Sequence, residues 1–415
     1  TETMDFCLLD CDCIGWDLDH TLVRYNLPNL NQLIFDVVKR YILEKAHYTK
    51  EVEDFKFDEQ FAKKGLVIDR LKGNVLKLDS RSCISIAFHG TKKMTEEQII
   101  ADYGKQKSID FHGETTARFW SLTTYFEAPV ASIWAQLVDL EDTKQKQNEK
   151  LNIYHSDYKR HSQVLYDSFV FNYAQWDKGF YFPEILAHPD KYIIRQQGLK
   201  EWLQELKQKH NRFLFLLTNS LPEYTDLLLE YSFGKEYAQL FDIVSVHAKK
   251  PTYFTGQNPY YEFTVPSFTK RTYPGPEYPV DDNPLTILKP NSGYLYLGGH
   301  HTTLIDSFRK FSKHNPDKDV TVCYFGDHLR NDVQICKTAL SWKTVAIVEE
   351  LEDIEAELNW KMPIEPIVRT TPSKKTAKSD NDNNAARTNS NHPSNNPYWG
   401  SFFIAETYGT FSFWA

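Results

Sequence analysis

Four short, mostly apolar runs punctuate the chain: Cys11 to Trp16, Phe213 to Leu217, Phe241 to Val246 and Val320 to Phe325. Each is too short for a helix and reads as a strand buried on both faces. A fifth, Thr344 to Val348, follows. Between them, apolar positions recur at helical spacing, as in Gln197 to Lys209 and Pro222 to Tyr231. Strands alternating with helices predict an α/β fold with a parallel sheet and helices on both faces. In that architecture ligands bind beyond the carboxyl ends of the strands.

The rhythm breaks between Asn26 and Asp190. A helix is expected over Leu30 to Leu43, then a hairpin over Gly65 to Asp79 with Lys72-Gly73-Asn74 as its turn. A segment rich in aromatic residues follows, Phe111 to Phe182. So long an insertion after the first strand predicts a separate cap, placed at 96–190, with 1–95 and 191–365 forming the core. Residues 366–397 are rich in Ser, Asn and Asp and poor in apolar side chains, a composition that predicts disorder. The aromatic stretch 398–415 is expected to dock back on the core.

Composition narrows the class of protein. The chain has 415 residues, 41% of them hydrophobic and 25% charged, with a net charge of −8. That is ordinary for a globular protein of two or three domains. Without a basic excess, no nucleic-acid polymer is expected as a partner, and a nucleotide would be met as a small molecule. No apolar run reaches the ~20 residues of a membrane helix. Thr1 to Leu9 lacks a basic stretch followed by an apolar one, so no signal peptide is expected. None of the six cysteines has zinc-site spacing, and a reduced, cytoplasmic setting fits them. Whether the chain forms a homo-oligomer is left open.

The chemistry sits where the apolar runs stop. The first ends in Gly15-Trp16-Asp17-Leu18-Asp19-His20-Thr21-Leu22. Two carboxylates just past a buried strand are costly unless something pairs with them, and a divalent cation is the natural partner. One could then attack phosphorus while the other moves the proton. Alone the pattern is weak, since an Asp capping a helix also explains it. Three further clusters strengthen it: Thr218-Asn219-Ser220 after the second run, Lys249-Lys250-Pro251 after the third, and Gly326-Asp327-His328-Leu329-Arg330-Asn331-Asp332 after the fourth.

Asp17 and Asp19, Thr218, Lys250, and Asp327 with Asp332 resemble the four motifs of the haloacid dehalogenase (HAD) superfamily. Within it the chain is similar to the 5'-nucleotidase family that includes cytosolic purine 5'-nucleotidase. Besides the motifs, the resemblance rests on Arg24-Tyr25, Gly65-Leu66-Val67-Ile68-Asp69, Gly73-Asn74-Val75-Leu76-Lys77, His89-Gly90, Lys250-Pro251 and Trp399-Gly400-Ser401-Phe402-Phe403. It implies a HAD-like Rossmannoid core with an inserted cap. It implies Asp17 as nucleophile and Asp19 as general acid/base. Mg²⁺ would be held by Asp17, the backbone carbonyl of Asp19, and Asp327. Phosphate would be bound by Thr218, Asn219 and Lys250. Asp332 would support Lys250 or the metal shell, and Phe126 would stack on the substrate's base.

The cap departs from the nucleotidase pattern. Glu127 stands where that pattern has an amide, and Tyr166 to Trp176 offers Asp167 and Asn172 but no arginine. The bland reading of Phe126 is cap core. For His300-His301 it is a helix flank, and for Lys249 a solvated charge. The expected activity is Mg²⁺-dependent hydrolysis of a small phosphate monoester, such as a nucleoside 5'-monophosphate, through an aspartyl-phosphate. The rival is an interaction or regulatory protein on a nucleotidase scaffold.

Overall fold

Strand Cys13–Trp16 is buried at every position and sits inside a seven-stranded sheet. The sheet belongs to a computed structural model that describes residues 7–79, 81–109, 116–149, 158–174, 178–263, 284–293, 295–312, 318–349, 398–399, 403–405 and 411–413. Cys13–Trp16 pairs with Phe213–Leu217 on one side and Val322–Gly326 on the other, both in parallel. Ile243–Val246 and Leu295–Gly298 continue the parallel sheet on the first side, and Lys343–Ala346 closes the second. Tyr260–Phe263 adds an antiparallel edge against Leu295–Gly298. The fold is therefore α/β around a parallel sheet, consistent with a HAD-like architecture. Strand order reverses at Cys13–Trp16, so the chain leaves a crevice at the carboxyl ends there.

The expected helices form with small shifts. Leu27–Glu44 begins at Asn26, whose side chain accepts from the Asn29 amide, with Pro28 in the first turn. Leu30, Leu33, Ile34, Val37, Val38 and Ile42 form its buried stripe. Pro222–Phe233 runs two residues past the expected end, and Leu199–Gln204 continues as a wider π turn, Glu205–Lys209. His300 precedes helix His301–Phe311 at its N-cap, the flanking place expected of it.

Within the long insertion, Val67–Asp69 pairs with Asn74–Leu78, and the hairpin turn falls on 70–73, starting two residues and ending one residue before the expected Lys72-Gly73-Asn74. Lys92–Lys93, Ile84–His89, Asn74–Leu78, Val67–Asp69 and Phe119–Ser121 form one five-stranded antiparallel sheet. Strands from both sides of residue 96 thus bond to one another. Helices Val130–Glu149, Tyr158–Ala174 and Tyr181–Ala187 complete the insertion.

His89-Gly90-Thr91 is where that sheet meets helix Val130–Glu149. A Cβ on Gly90 would lie 2.2 Å from Asp139 Oδ1, and Gly90 has φ +56°, so only glycine fits. Thr91 donates to Asp139 through its amide at 3.2 Å and its hydroxyl at 2.5 Å. His89 Nε2 lies 2.9 Å from Asp142 Oδ2, and Nδ1 lies 2.7 Å from Asn74 Oδ1. The Asn74 amide nitrogen bonds to Asp102 and Tyr103, which fixes its oxygen toward His89. Both ring nitrogens therefore face acceptors, and the imidazolium satisfies both. The bond to Asp142 raises the His89 pKa against the opposing effect of burial.

A raised histidine pKa contributes stability that is full below its unfolded value, about 6.5, and is lost as pH rises through the folded value. Burial would raise Asp142, but bonds from His89 and Tyr158 outweigh it and hold that carboxyl low, so it stays ionised there. The urea midpoint should thus fall between pH 6 and pH 8 more steeply in the wild type than in His89→Gln. Equal slopes would show that His89 carries no charge in this clamp.

The described residues divide into two compact units, one ending at Ile347 and one beginning at Val348. In the second, Phe403–Ala405 pairs antiparallel with Phe411–Phe413. The segment 366–397, expected to be disordered, lies outside the described residues. Among the described residues no helix is long and apolar enough to cross a membrane.

Candidate active site

The carboxyl ends of four strands bring the motif residues together. Asp17, Asp19, Thr218, Asn219, Lys250, Asp327 and Asp332 all line one cavity of about 510 Å³, and so does Phe126 from the insertion. Lys250 Nζ is 2.9 Å from Asp17 Oδ1 and 2.7 Å from Asp332 Oδ1, and 3.2 Å from the Tyr324 hydroxyl. One carboxylate oxygen from each of Asp17, Asp327 and Asp332 lies within 4.8 Å of the others.

Local structure explains this convergence. After Gly326 the chain turns through His328, which accepts from the Asn331 amide, into a π turn over Leu329–Gln334. A Cβ on Gly326 would stand 2.3 Å from Asp332 Cβ, so glycine is what lets Asp332 fold back beside Asp327. On the opposite strands, Asn219 donates to the Lys250 carbonyl at 3.1 Å and accepts from the Lys250 amide at 2.6 Å. Both ends of that amide thus clamp the Lys250 backbone to the Thr218 loop. Thr218 Oγ1 accepts from the Ser220 amide at 3.0 Å. His20, His247 and Lys249 hold positive φ, a backbone state that side chains rarely adopt and that gathers at functional sites.

Electrostatics follow from burying several acids near one lysine. Burial pushes Asp17 up to about 6, with the Lys250 ammonium opposing it and the Asp332 carboxylate adding to it. Burial and the charge of Asp17 drive Asp327 well above the usual carboxylate range. Burial opposes the charge of Lys250, but Asp17 and Asp332 outweigh it and hold it above its ordinary value. Burial, with Lys250 next, lowers His328 to about 4.

Asp19 stands apart from that cluster. Its Oδ1 accepts from the Tyr25 hydroxyl at 2.5 Å and its Oδ2 from Ser220 Oγ at 2.5 Å. Tyr25 meets Tyr224 at 3.0 Å, and Tyr224 meets Tyr181 at 3.2 Å. Burial and the charge of Asp17 raise Asp19, while the two hydroxyl bonds pull it down. Tyr25, Tyr224 and Tyr181 were not singled out as site residues from the sequence, and Ser220 stood there only as part of the Thr218-Asn219-Ser220 cluster. Tyr25 stands six residues after Asp19, and the Arg24-Tyr25 pair was the one available signal.

Phe126 sits among aromatic rings. Its centroid is 5.1 Å from His20, 5.9 Å from Tyr25 and 5.9 Å from Tyr173. His20 in turn packs on Tyr125 at 4.6 Å, over which Lys64 Nζ lies at 4.0 Å. Glu127 accepts from Trp120 Nε1 at 3.0 Å and the Thr123 amide at 3.0 Å. Asp167 bonds to Gln163, and Asn172 accepts from the Phe180 amide, so both serve the fold of the insertion.

Comparison with known proteins places the chain in a family. A family model described as "5' nucleotidase family" matches residues 4–395. The chain is 33% identical to 5'-nucleotidase domain-containing protein 1 of Homo sapiens over 358 residues, 84% of this chain and 74% of that protein. It is 31% identical to the Bos taurus protein of the same name, over 83% of this chain and 74% of that one. To 5'-nucleotidase domain-containing protein 2 of Homo sapiens it is 26% identical, over 83% of this chain and 62% of that protein. On a match of that extent, with the strand-end acids and lysine gathered at one crevice, the chain belongs to the 5' nucleotidase family.

Proposed function

We propose that the chain is a Mg²⁺-dependent phosphohydrolase of the 5'-nucleotidase type that works through an aspartyl-phosphate on Asp17. The observation that carries this reading is Asp17 held 2.9 Å from Lys250, beside Asp327, at one end of a cavity large enough for a small phosphate monoester.

The donor set suits a hard divalent cation. Mg²⁺ prefers oxygen ligands, and Asp17, Asp327 and Asp332 supply carboxylates whose mutual repulsion such a cation would relieve. Asp17 and Asp327 would hold the ion with the Asp19 carbonyl, and Asp332 would stay with Lys250. When bound, the ion supplies positive charge against the phosphate oxygens.

The remaining steps belong to this chain's side chains. Lys250 and Thr218 orient the phosphate over Asp17. An Asp17 oxygen attacks phosphorus, the bond from phosphorus to the leaving oxygen breaks, and Asp19 gives that oxygen its proton. Water then attacks phosphorus, Asp19 takes the proton, and the Asp17 carboxylate is freed as inorganic phosphate leaves. The Tyr25 and Ser220 hydroxyls hold Asp19 in place for both transfers. The stretch 96–190 acts as the cap, since Phe126, Phe169, Tyr173 and Phe182 from it line the same cavity. All six cysteines are unpaired, which fits a cytoplasmic setting.

The purified chain should release phosphate from at least one member of a phosphate-monoester panel in Mg²⁺, and from none in EDTA. Equal rates in the two conditions would remove the metal from the mechanism.

A further inference from the structure

The far wall of the cavity has its own chemistry. Among the described residues that line it, Lys250 is the one lysine or arginine, and it is already paired with Asp17 and Asp332. The apolar part of its lining is Phe126, Phe169, Val170, Tyr173, Phe182 and Leu221, and Glu127 stands with them. A leaving group that carried negative charge would find no further lysine or arginine among the described residues there. A flat ring would find aromatic faces.

Glu127 is the acid that stands with those side chains, and the partners that bond it are donors. The Trp120 indole N–H and the Thr123 amide can only donate, so each Glu127 oxygen acts as an acceptor. Oε2 is crowded: besides the Thr123 amide it meets the hydroxyls of Thr123 at 3.4 Å and Thr124 at 3.3 Å. Oε1 takes the indole bond alone among these, which leaves it room for a further donor. The same bonds fix the side chain, so an incoming group meets a pre-set acceptor. Burial raises the Glu127 pKa and the bonds to Trp120, Thr123 and Thr124 oppose it.

We propose that Glu127 is a specificity-determining residue that selects a phosphate monoester whose ring presents an N–H donor to it and rejects one presenting a carbonyl there. This rests on the phosphatase reading, because it assumes that the phosphate lies at Lys250 and the ring at the far wall. A carbonyl set against a desolvated carboxylate leaves two acceptors facing each other and unsatisfied. A lost bond of that kind costs about 1–3 kcal/mol, or roughly tenfold to a hundredfold in affinity.

The test uses matched nucleotides that differ at one ring position: adenosine against inosine 5'-monophosphate, and cytidine against uridine 5'-monophosphate. Binding is measured by calorimetry on full-length Asp17→Asn, which is expected not to turn over. The amino member of at least one pair should bind about tenfold to a hundredfold tighter. Adding Glu127→Gln should bring that ratio close to one, because an amide can turn either its oxygen or its nitrogen toward the ring. Equal binding within both pairs in Asp17→Asn overturns the proposal, as does preference for the keto member or binding of none of the four. A ratio that survives Glu127→Gln overturns it too. The first of these results needs no second variant, so a Glu127→Gln protein that fails to fold does not shelter the idea. Hydrolysis of p-nitrophenyl phosphate by the unmodified chain reads the broader phosphatase assignment separately.

Discussion

Asp17→Asn should lose on the order of 10⁴- to 10⁶-fold in phosphate release from any responsive substrate, as expected when a nucleophile is removed. The amide keeps the shape of the side chain but lacks the negative oxygen that would attack phosphorus. The fold should survive, because Lys250 keeps Asp332 at 2.7 Å and one of three crowded acids becomes neutral. Asp19→Asn makes the contrast. Attack on phosphorus stays available, but the proton donor and the later base are gone, a loss of about 10²- to 10⁴-fold. It should therefore accumulate acid-stable phosphate label on the protein, whereas Asp17→Asn should take up none. Rapid quench with radiolabelled phosphate monoester reads both. Undiminished hydrolysis by a folded Asp17→Asn would show that some other group attacks phosphorus.

The core of the sheet was readable because burial on both faces leaves an uninterrupted apolar run. Phe213–Leu217 is five such residues and was placed to the residue. The two strands that escaped notice lie toward one edge. Tyr260–Phe263 carries Glu262 where the chain meets solvent, and Leu295–Gly298 runs straight into Gly298-Gly299, which reads as a turn. The acids and Lys250 were legible for a related reason: charge directly after a buried strand has to be explained. The partners of Asp19 were not. Tyr25 and Tyr224 are 199 positions apart and Tyr181 and Tyr224 are 43 apart, and local periodicity carries no record of side chains that meet only after folding. Asn219 shows the same limit. Its amide looked suited to phosphate oxygens, yet both its ends bond to the Lys250 backbone.

Lys250→Met should be the most destabilising single change in the site. The lysine side chain is 3% exposed and lies between Asp17 and Asp332, at 11% and 1%. Methionine fills similar volume without charge, so packing changes little while two buried carboxylates lose their counter-charge. Breaking a buried pair by removing one partner costs about 3–5 kcal/mol. The deficit should shrink as pH falls. Burial and like charge already raise Asp17 and Asp327, and without the ammonium they rise further. Acids whose folded pKa lies above the unfolded value add stability below that unfolded value and lose it as pH rises through the folded one. Relative to wild type, the variant should thus be less handicapped at pH 5.5 than at pH 8. Mg²⁺ at pH 8 should restore part of its urea midpoint and do so by more than in wild type, since a bound cation replaces the missing charge. Lys250→Arg, which keeps the charge, should stay near wild-type stability. If Lys250→Met matched the wild-type midpoint at pH 8 in EDTA, the acids would have to be neutral already, and the ion pair that positions Asp17 would not exist in solution.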